Sequence, residues 1–155
     1  MIPTKAWLNR ILPGLGGMIA IYSGLTLGGL SDFTLIMAPF GATCVLIFAL
    51  PESPLAQPRN VVGGHLLSSI VGLLLYQMFG THSWSIALAV GLAIALMQWT
   101  RTIHPPAGAD PIVVMLAGAS WSFLLTPVLA GALLMVLVGF LYHKAARKSY
   151  PKQWW

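Results

Sequence analysis

Six apolar segments most limit how this chain can fold. They cover about residues 11–30, 33–50, 61–80, 84–100, 103–118 and 121–142. A helix needs about 20 apolar residues to cross the hydrocarbon core of a bilayer, and the first, third, fourth and sixth segments meet this length. Only 7% of the residues are charged, whereas soluble domains contain about 25%. The sequence therefore predicts an all-α polytopic membrane protein whose surroundings are the lipid bilayer, with residues 1–155 forming a single transmembrane domain.

The second and fifth segments are interrupted at the same motif, which is Pro39-Phe-Gly41-Ala42 in one and Pro106-Ala-Gly108-Ala109 in the other. Proline removes a backbone donor and disfavours helix at the residue before it. Asp110-Pro111 is typical of an N-cap with a first-turn proline, so we expect a new helix from about residue 110, with Thr43 as the corresponding cap. Broken helices in lipid are tolerated only where the freed backbone lines a cavity or is buried in protein. Both breaks are therefore candidate sites.

The two breaks belong to an internal repeat with a constant offset of 67 positions, the separation of Pro39 and Pro106. Residues 13–30 match 80–97, residues 37–49 match 104–116, and residues 61–76 match 128–143. We therefore predict two three-segment repeats, about 11–79 and 80–146, each broken in its middle segment. Repeats with interrupted helices at equivalent positions are typical of transporters. If all six segments cross the membrane the halves are inverted; if the broken segments dip in and return, only four segments cross.

The positions of the basic residues favour six crossings. Lys and Arg stand before the first segment, in the 51–60 loop, at Arg101 and after the last segment, which six crossings place on one side. The positive-inside rule makes that side, with both termini, cytoplasmic. This placement accounts for the net charge of +5, so we expect no nucleic-acid partner. The expected location is a bacterial inner membrane.

Several residues near the breaks carry polar chemistry. Helix N-termini near Thr43 and Asp110, meeting at the midplane, would offer free N–H groups and partial positive charge to a small anion. His104 could donate a further hydrogen bond or act as a gate. Arg59 and Arg101 would concentrate anions at a vestibule, or they only fix the topology. An ionised Asp110 would oppose an anion, so it is protonated, paired with Arg101 or His104, or part of a cation or proton path.

The remaining features concern the role of His65, metal or cofactor binding, and enzymatic activity. His65 lies within the third segment, where it either packs across a helix interface or belongs to the site. The single cysteine and the absence of metal-ligand spacing predict neither a metal site nor a cofactor. No P-loop, paired carboxylates or nucleophile–base motif occurs, so we expect no enzyme.

Three stretches resemble the HPP family of integral membrane proteins. They are Phe40-Gly41-Ala42-Thr43, Ser53-Pro54-Leu55-Ala56-Gln57-Pro58-Arg59-Asn60-Val-Val-Gly63-Gly64-His65, and His104-Pro105-Pro106-Ala-Gly108-Ala109. The resemblance implies four transmembrane helices, as the family is usually described, and it implies a link to nitrite, because chloroplast members are associated with nitrite transport.

The breaks and the resemblance together predict a membrane channel or transporter for a small inorganic anion, with nitrite favoured. The candidate substrate-path residues are Gly41, Thr43, Arg59, Asn60, His65, Arg101, His104, Pro105, Pro106, Gly108 and Asp110. Two alternatives stay open: a non-conducting accessory or sensory membrane subunit, and a proton- or cation-coupled carrier that uses Asp110. Six short segments often need partners to form a sealed path, so a homo-oligomer is expected.

Overall fold

The computed structural model describes residues 4–31 and 33–154, and this part of the chain is helical with no strand. The α-helices are α1 (Thr4–Ser31), α2 (Phe40–Cys44), α3 (Pro58–Phe79), α4 (Ser83–Thr100), α5 (Asp110–Leu116) and α6 (Ala130–Ala145). π-helical turns cover Val45–Ala49 and Leu125–Leu129, and 3-10 turns cover Pro54–Ala56, Pro105–Ala109 and Trp121–Leu124. The predicted all-α membrane fold is confirmed, and α5 begins at residue 110 as expected.

Four helical stretches of the described residues are long and apolar enough to cross a membrane: Arg10–Ser31, Pro58–Phe79, Ser83–Thr100 and Trp121–Ala145. They correspond to the first, third, fourth and sixth apolar segments. The helical part of the second segment, Pro39–Ala49, is shorter, and α5 has seven residues. Four long helices and two short, broken ones are therefore present together.

The second segment runs back along α1. The neighbours follow in order: Phe33 and Leu35 beside Gly28, Ile36 beside Gly24, Cys44 beside Gly17, and Phe48 beside Gly16. The twelve helix positions between Gly28 and Gly16 correspond to about 18 Å of rise. The segment therefore enters at one end of α1 and leaves near the other, instead of dipping in and returning.

The fifth segment runs along α3 in the same direction as that helix. Thr102 and His104 lie beside Gly64, Ala107 is bonded to Ser68, Pro111 and Val114 lie beside Gly72, and Gly118 lies beside Tyr76. This segment also passes from one end of the bundle towards the other. Within the described ranges the chain makes six passes, four as long helices and two as broken segments.

One end of the bundle gathers the 50–57 loop, the α4–α5 connection at 101–104 and the C-terminal residues 146–154, and we name it the basic end. The Tyr150 hydroxyl donates to the carbonyl of Ala56 at 2.9 Å, and the Lys152 N–H donates to Oε1 of Gln57 at 2.8 Å. The opposite end holds the end of α1 at Ser31 and the turns at 80–82 and 117–121.

Two buried apolar clusters hold the segments together. The larger cluster joins α1, the second segment and α6 through residues such as Ala20, Ile47 and Ala132. The smaller cluster joins α3, α4 and α5, and includes Ala89 and Met115. The third helix of each sequence half therefore packs on the first two segments of the other half. Because small residues let helices approach closely in lipid, several of these contacts fall at glycine or alanine.

Replacing Gly28 by alanine is expected to lower the thermal unfolding temperature of the protein. The new Cβ would lie 2.6 Å from the carbonyl oxygen of Phe33, and overpacking of this kind costs about 1–3 kcal/mol. The matched control is Gly29→Ala, whose Cβ meets nothing within 4 Å. Helix propensity makes that change neutral or stabilising by up to about 1 kcal/mol. Thermal unfolding of both variants in one detergent measures the difference; equal effects would contradict close packing of the second segment on α1.

Candidate functional site

Four polar side chains from three segments meet inside the bundle: Thr43, His65, His104 and Asp110, all fully buried. Oγ1 of Thr43 lies 2.9 Å from Nε2 of His65 and 2.9 Å from Nε2 of His104. Nδ1 of His65 lies 2.7 Å from Oδ2 of Asp110. The contacts run in the order Asp110, His65, Thr43, His104, and we name these four residues the polar chain.

The position of His104 is fixed by its extended backbone and by contacts with the 50–57 loop and α3. The residue is extended, with φ −138° and ψ 99°, as expected before Pro105. Its Nδ1 lies 2.8 Å from the carbonyl oxygen of Leu55, and Asn60 donates from Nδ2 to the carbonyl of Ile103 at 2.8 Å. A Cβ at Gly64 would lie 2.8 Å from Cβ of His104, so the glycine permits this approach to α3.

Asp110 is the first residue of α5, and its carboxylate turns towards α3. Oδ2 contacts His65 and accepts from the Ser69 hydroxyl at 3.3 Å. Within the described residues Oδ1 is buried and has no hydrogen-bond partner. The side-chain partner of Asp110 is therefore His65, and not Arg101 or His104 as the sequence suggested. Ser68 donates to the carbonyl of Ala107 at 2.6 Å and fixes the turn before α5.

The start of α2 does not offer the free N–H groups on which the predicted anion site depends. The N–H groups of residues 40–43 donate to carbonyls of residues 37–39 and are already in use. α2 begins at Phe40, so Thr43 lies within its first turns and does not cap a helix at Cys44. Neither α2 nor α5 has a side-chain cap hydrogen bond. At the start of α2, the polar group that the site offers is therefore the Thr43 side chain and not a free N–H group.

The direction of the hydrogen bonds along the polar chain follows from Leu55. A carbonyl only accepts, so Nδ1 of His104 carries a proton, and in a neutral His104 the Nε2 atom accepts from the Thr43 hydroxyl. The Thr43 oxygen then accepts from the Nε2–H of His65. The contact between His65 and Asp110 holds one shared proton. The polar chain is therefore neutral overall, and each member both donates and accepts.

Thr43, His65 and Asp110 also have the distances of a nucleophile–base–acid triad. In the neutral chain, however, His65 donates to Thr43 and the hydroxyl proton points towards His104, which is the reverse of the direction that base catalysis needs. The N–H groups beside Thr43 that could form an oxyanion hole are bonded to residues 37–39. The arrangement favours proton transfer over nucleophilic attack.

A polar cavity of about 230 Å³ opens at the basic end, and we name it the vestibule. It is lined by Pro54, Gln57, Arg59, Asn60, Arg101 and Gln153. Arg59 donates to the carbonyl of Thr100 at 3.0 Å, and Arg101 ends α4 in a left-handed conformation with φ 58°. His104 is bonded to Leu55, the residue after Pro54 in the vestibule wall. The predicted residues Arg59, Asn60 and Arg101 therefore stand together, next to one end of the polar chain.

An apolar groove of about 650 Å³ lies where the two breaks meet. Its lining residues are Ala38, Pro39, Ala42, Val45, Leu46, Pro105, Pro106, Ala109 and Val113. Four pairs among them are 67 positions apart: Ala38 and Pro105, Pro39 and Pro106, Ala42 and Ala109, and Leu46 and Val113. Pro105 and Pro106 thus line the groove, while Gly41 and Gly108 stand at the breaks, where an added Cβ would meet nothing within 4 Å.

The polar chain is largely unmatched at the equivalent positions of the other half. The same offset pairs His104 with Met37, His65 with Ala132, and Ser69 with Val136, while Thr43 pairs with Asp110 itself. Met37, Ala132 and Val136 are buried in the larger apolar cluster. Apolar side chains therefore fill these places in the fold, and burying ionisable groups in a membrane is costly. The polar chain is the strongest functional candidate in the described part of the molecule.

The sequence did not predict three groups that bond to the site: the hydroxyls of Ser68 and Ser69 and the carbonyl of Leu55. Ser68 and Ser69 follow His65 at helical spacing, which is a signal for the two serines. Nothing in the sequence indicated the carbonyl of Leu55. His143, near the end of α6, is also fully buried, with Nε2 2.8 Å from the carbonyl oxygen of Ile47.

A double-mutant cycle tests the contact between His65 and Asp110. Each of His65→Ala and Asp110→Ala removes one partner of a buried pair, and each is expected to lower the free energy of unfolding by about 3–5 kcal/mol. Because the second change removes the group left unpaired by the first, the double variant should lose at least about 1 kcal/mol less than the sum. Unfolding of the purified proteins in one detergent measures these energies.

The control cycle combines Asp110→Ala with Ser85→Ala. Ser85 is bonded to Gly80 and His82 at the opposite end of the bundle, and within the described residues its hydrogen-bond partners differ from those of Asp110. These two changes are expected to add. Coupling of equal size in both cycles would contradict a direct interaction between His65 and Asp110.

Comparison with known proteins gives a family. The family described as "HPP, transmembrane region" matches residues 2–151. A transmembrane protein of Dictyostelium discoideum is 42% identical over 134 residues, which cover 81% of this chain and 47% of the relative. A second transmembrane protein of that organism is 43% identical over 130 residues, which cover 77% of this chain and 42% of the relative.

The chain thus spans less than half the length of these curated relatives. Both are eukaryotic, so they give no support to the expected bacterial inner membrane. No solved structure matches. The match over nearly all of the sequence shows that this integral membrane protein belongs to the HPP family.

Proposed function

We propose that the protein provides a membrane pathway for a small inorganic anion, with nitrite as the favoured substrate, and that it is not an enzyme. The observation that carries this proposal is the polar chain, which is buried beside the two breaks and whose two histidines have apolar residues at the equivalent positions. An ionisable cluster inside a membrane bundle is typical of a substrate or proton path. The choice of nitrite rests on the family resemblance.

The order of the polar groups supports an anion path. Arg59 and Arg101 in the vestibule attract anions from the water at the basic end. The next groups inward are His104 and the Thr43 hydroxyl, which donate hydrogen bonds. The proton that Asp110 and His65 share keeps this pair neutral, so the carboxyl group does not oppose an anion.

The complete burial of the polar chain describes a closed state. All four side chains have no exposed surface, so an anion passes only when the segments around them separate. The apolar groove between the breaks is the place where separation disturbs the fewest polar contacts, because its lining is proline, alanine and aliphatic side chains. We propose that passage involves movement of one broken segment against the other.

We further propose that the two halves are inverted repeats and that both termini are cytoplasmic. The opposite chain directions of the second and fifth segments, and the four groove pairs at one offset, support inversion. The positive-inside rule supports a cytoplasmic basic end. Large exposed apolar residues such as Leu30 and Trp99 contact lipid or a further copy, and a homo-oligomer remains part of the proposal.

The second candidate is a non-conducting accessory subunit. The exposed Gly91 on α4 favours it, since a Cβ there would meet nothing within 4 Å and the helix is open to close approach by a partner helix. Stable co-purification of one partner, lost in Gly91→Leu, would support this candidate.

Nitrite flux into proteoliposomes separates the two candidates. The purified protein is reconstituted, and uptake of nitrite is measured beside nitrate, formate and chloride. Saturable nitrite uptake above that of protein-free liposomes, reduced in His104→Ala, is the expected result. A folded protein that passes none of these anions would contradict the proposed pathway and favour the accessory function.

Neutralising the vestibule is expected to slow nitrite uptake. Arg101→Gln removes a positive charge from the cavity wall, and electrostatic steering by such charges is worth about tenfold or more in rate. The loss should shrink at high ionic strength, because salt screens exposed charges beyond about 10 Å at 0.1 M.

The matched control is Lys148→Gln, which removes an exposed charge of the same sign at the basic end but outside the vestibule. We expect a smaller effect there because the charge lies away from the cavity. Equal losses in both variants would mean that net charge, and not the vestibule, governs uptake.

A further inference from the structure

We propose that Asp110, His65, Thr43 and His104 form a proton relay between the centre of the bundle and the vestibule, and that proton movement through it is coupled to anion movement. This inference rests on the proposed anion pathway. It follows from the unbroken sequence of contacts at 2.7, 2.9 and 2.9 Å. Nothing but side chains of this chain is needed for the transfer itself.

With His104 neutral and the shared proton on Asp110, every contact along the relay has one donor and one acceptor. Oδ2 of Asp110 donates to Nδ1 of His65, Nε2 of His65 donates to Thr43, and the Thr43 hydroxyl donates to Nε2 of His104. Nδ1 of His104 donates to the carbonyl of Leu55. Each proton therefore already points along the chain in the same direction, from the centre towards the vestibule.

A proton that arrives at the free Oδ1 of Asp110 shifts all of these protons by one place. The Oδ2 proton passes to Nδ1 of His65, and the Nε2 proton of His65 passes to the Thr43 oxygen. The original Thr43 proton passes to Nε2 of His104, which becomes an imidazolium. Three O–H or N–H bonds break and three form, besides the new bond at Oδ1, so the chain gains one proton and one positive charge.

The two ends of the relay are placed for entry and exit. Oδ1 of Asp110 is buried without a described hydrogen-bond partner. Its neighbour Ser69 is the twelfth of the 22 residues of α3, which places the carboxyl group near the middle of that span. His104 at the other end is bonded to Leu55, beside the vestibule wall.

Groups of the neighbouring elements also face the relay, and one of them is the carbonyl oxygen of Pro39, which lies 3.4 Å from Oγ1 of Thr43. Phe40 of α2 meets the His65 ring edge-on at 5.1 Å, and Ser68 of α3 is bonded to Ala107. The charged groups at the adjoining vestibule are Arg59 and Arg101. His143 of α6 is bonded to Ile47 and faces the second segment.

Coupling follows from the charge on His104. The imidazolium forms next to the vestibule only when the relay takes up a proton, and an anion in the vestibule stabilises it. In the buried, low-dielectric site this attraction is much stronger than in water. An anion in the vestibule and a proton on His104 therefore favour each other, and the two leave through the vestibule together, as in a symporter that runs towards the basic end.

The test records nitrite and proton entry in the same proteoliposomes. The vesicles contain a pH-sensitive dye, potassium and valinomycin clamp the membrane potential, and nitrite is added outside. Nitrite entry is expected to acidify the lumen more than in protein-free liposomes, which report the passive entry of nitrous acid.

Thr43→Val keeps the side-chain shape but removes the hydroxyl that joins the two histidines. It is expected to reduce the protein-dependent proton signal by about tenfold or more. Thr43→Ser is the matched control, because it keeps the hydroxyl and should retain the signal. Both variants are first compared with the parent by thermal unfolding, and the serine variant shows whether the position tolerates change.

The outcomes separate the relay from the pathway. Nitrite entry without protein-dependent acidification, or acidification undiminished in Thr43→Val, overturns the relay and leaves the anion pathway standing. Absence of nitrite entry overturns the proposed pathway and with it the coupling. In that case an imposed potassium diffusion potential tests proton conduction alone, and a protein that conducts no protons overturns the relay as well.

Discussion

The structure depends on the rule that backbone polar groups inside a membrane must find partners within the protein. Two segments that break near their middle would otherwise leave donors and acceptors unpaired in hydrocarbon. In the second segment the backbone groups are paired within the break itself, since the N–H groups of residues 40–43 donate to the carbonyls of residues 37–39. The fifth segment, with two adjacent prolines, takes hydrogen bonds from α3 instead, through Asn60 to Ile103 and Ser68 to Ala107.

This difference accounts for polar side chains on α3 that have no counterpart on α6. Side chains of α3 donate hydrogen bonds to the break in the fifth segment, and His65 and Ser69 lie at helical spacing on the same helix. The equivalent face of α6 carries Ala132 and Val136 in the larger apolar cluster. Two similar repeats thus hold an asymmetric site, and the apolar face of α6 shows that polar side chains are not required for packing at these positions.

Proline and glycine chemistry predicted much of this molecule. The break at Pro105–Pro106 and the helix start at Asp110 follow from local backbone restrictions, and the four members of the polar chain were among the candidate residues. The partners within it were not predictable, because Asp110 meets a histidine 45 positions away and such pairing depends on how α3 lies against the fifth segment. Thr43 was expected to cap a helix, but tight turns had already used the neighbouring N–H groups.

The properties of the polar chain depend most on Thr43. A hydroxyl donates one hydrogen bond and accepts others, so it connects two imidazoles that could not exchange a proton through an aliphatic side chain. Its oxygen is equidistant, at 2.9 Å, from both rings, and the direction of its proton decides which histidine is the acceptor. At the equivalent position of the other half stands Asp110, the opposite end of the same chain. One pair of matching positions therefore supplies both the connecting hydroxyl and the terminal carboxyl group, whereas both histidines have apolar counterparts.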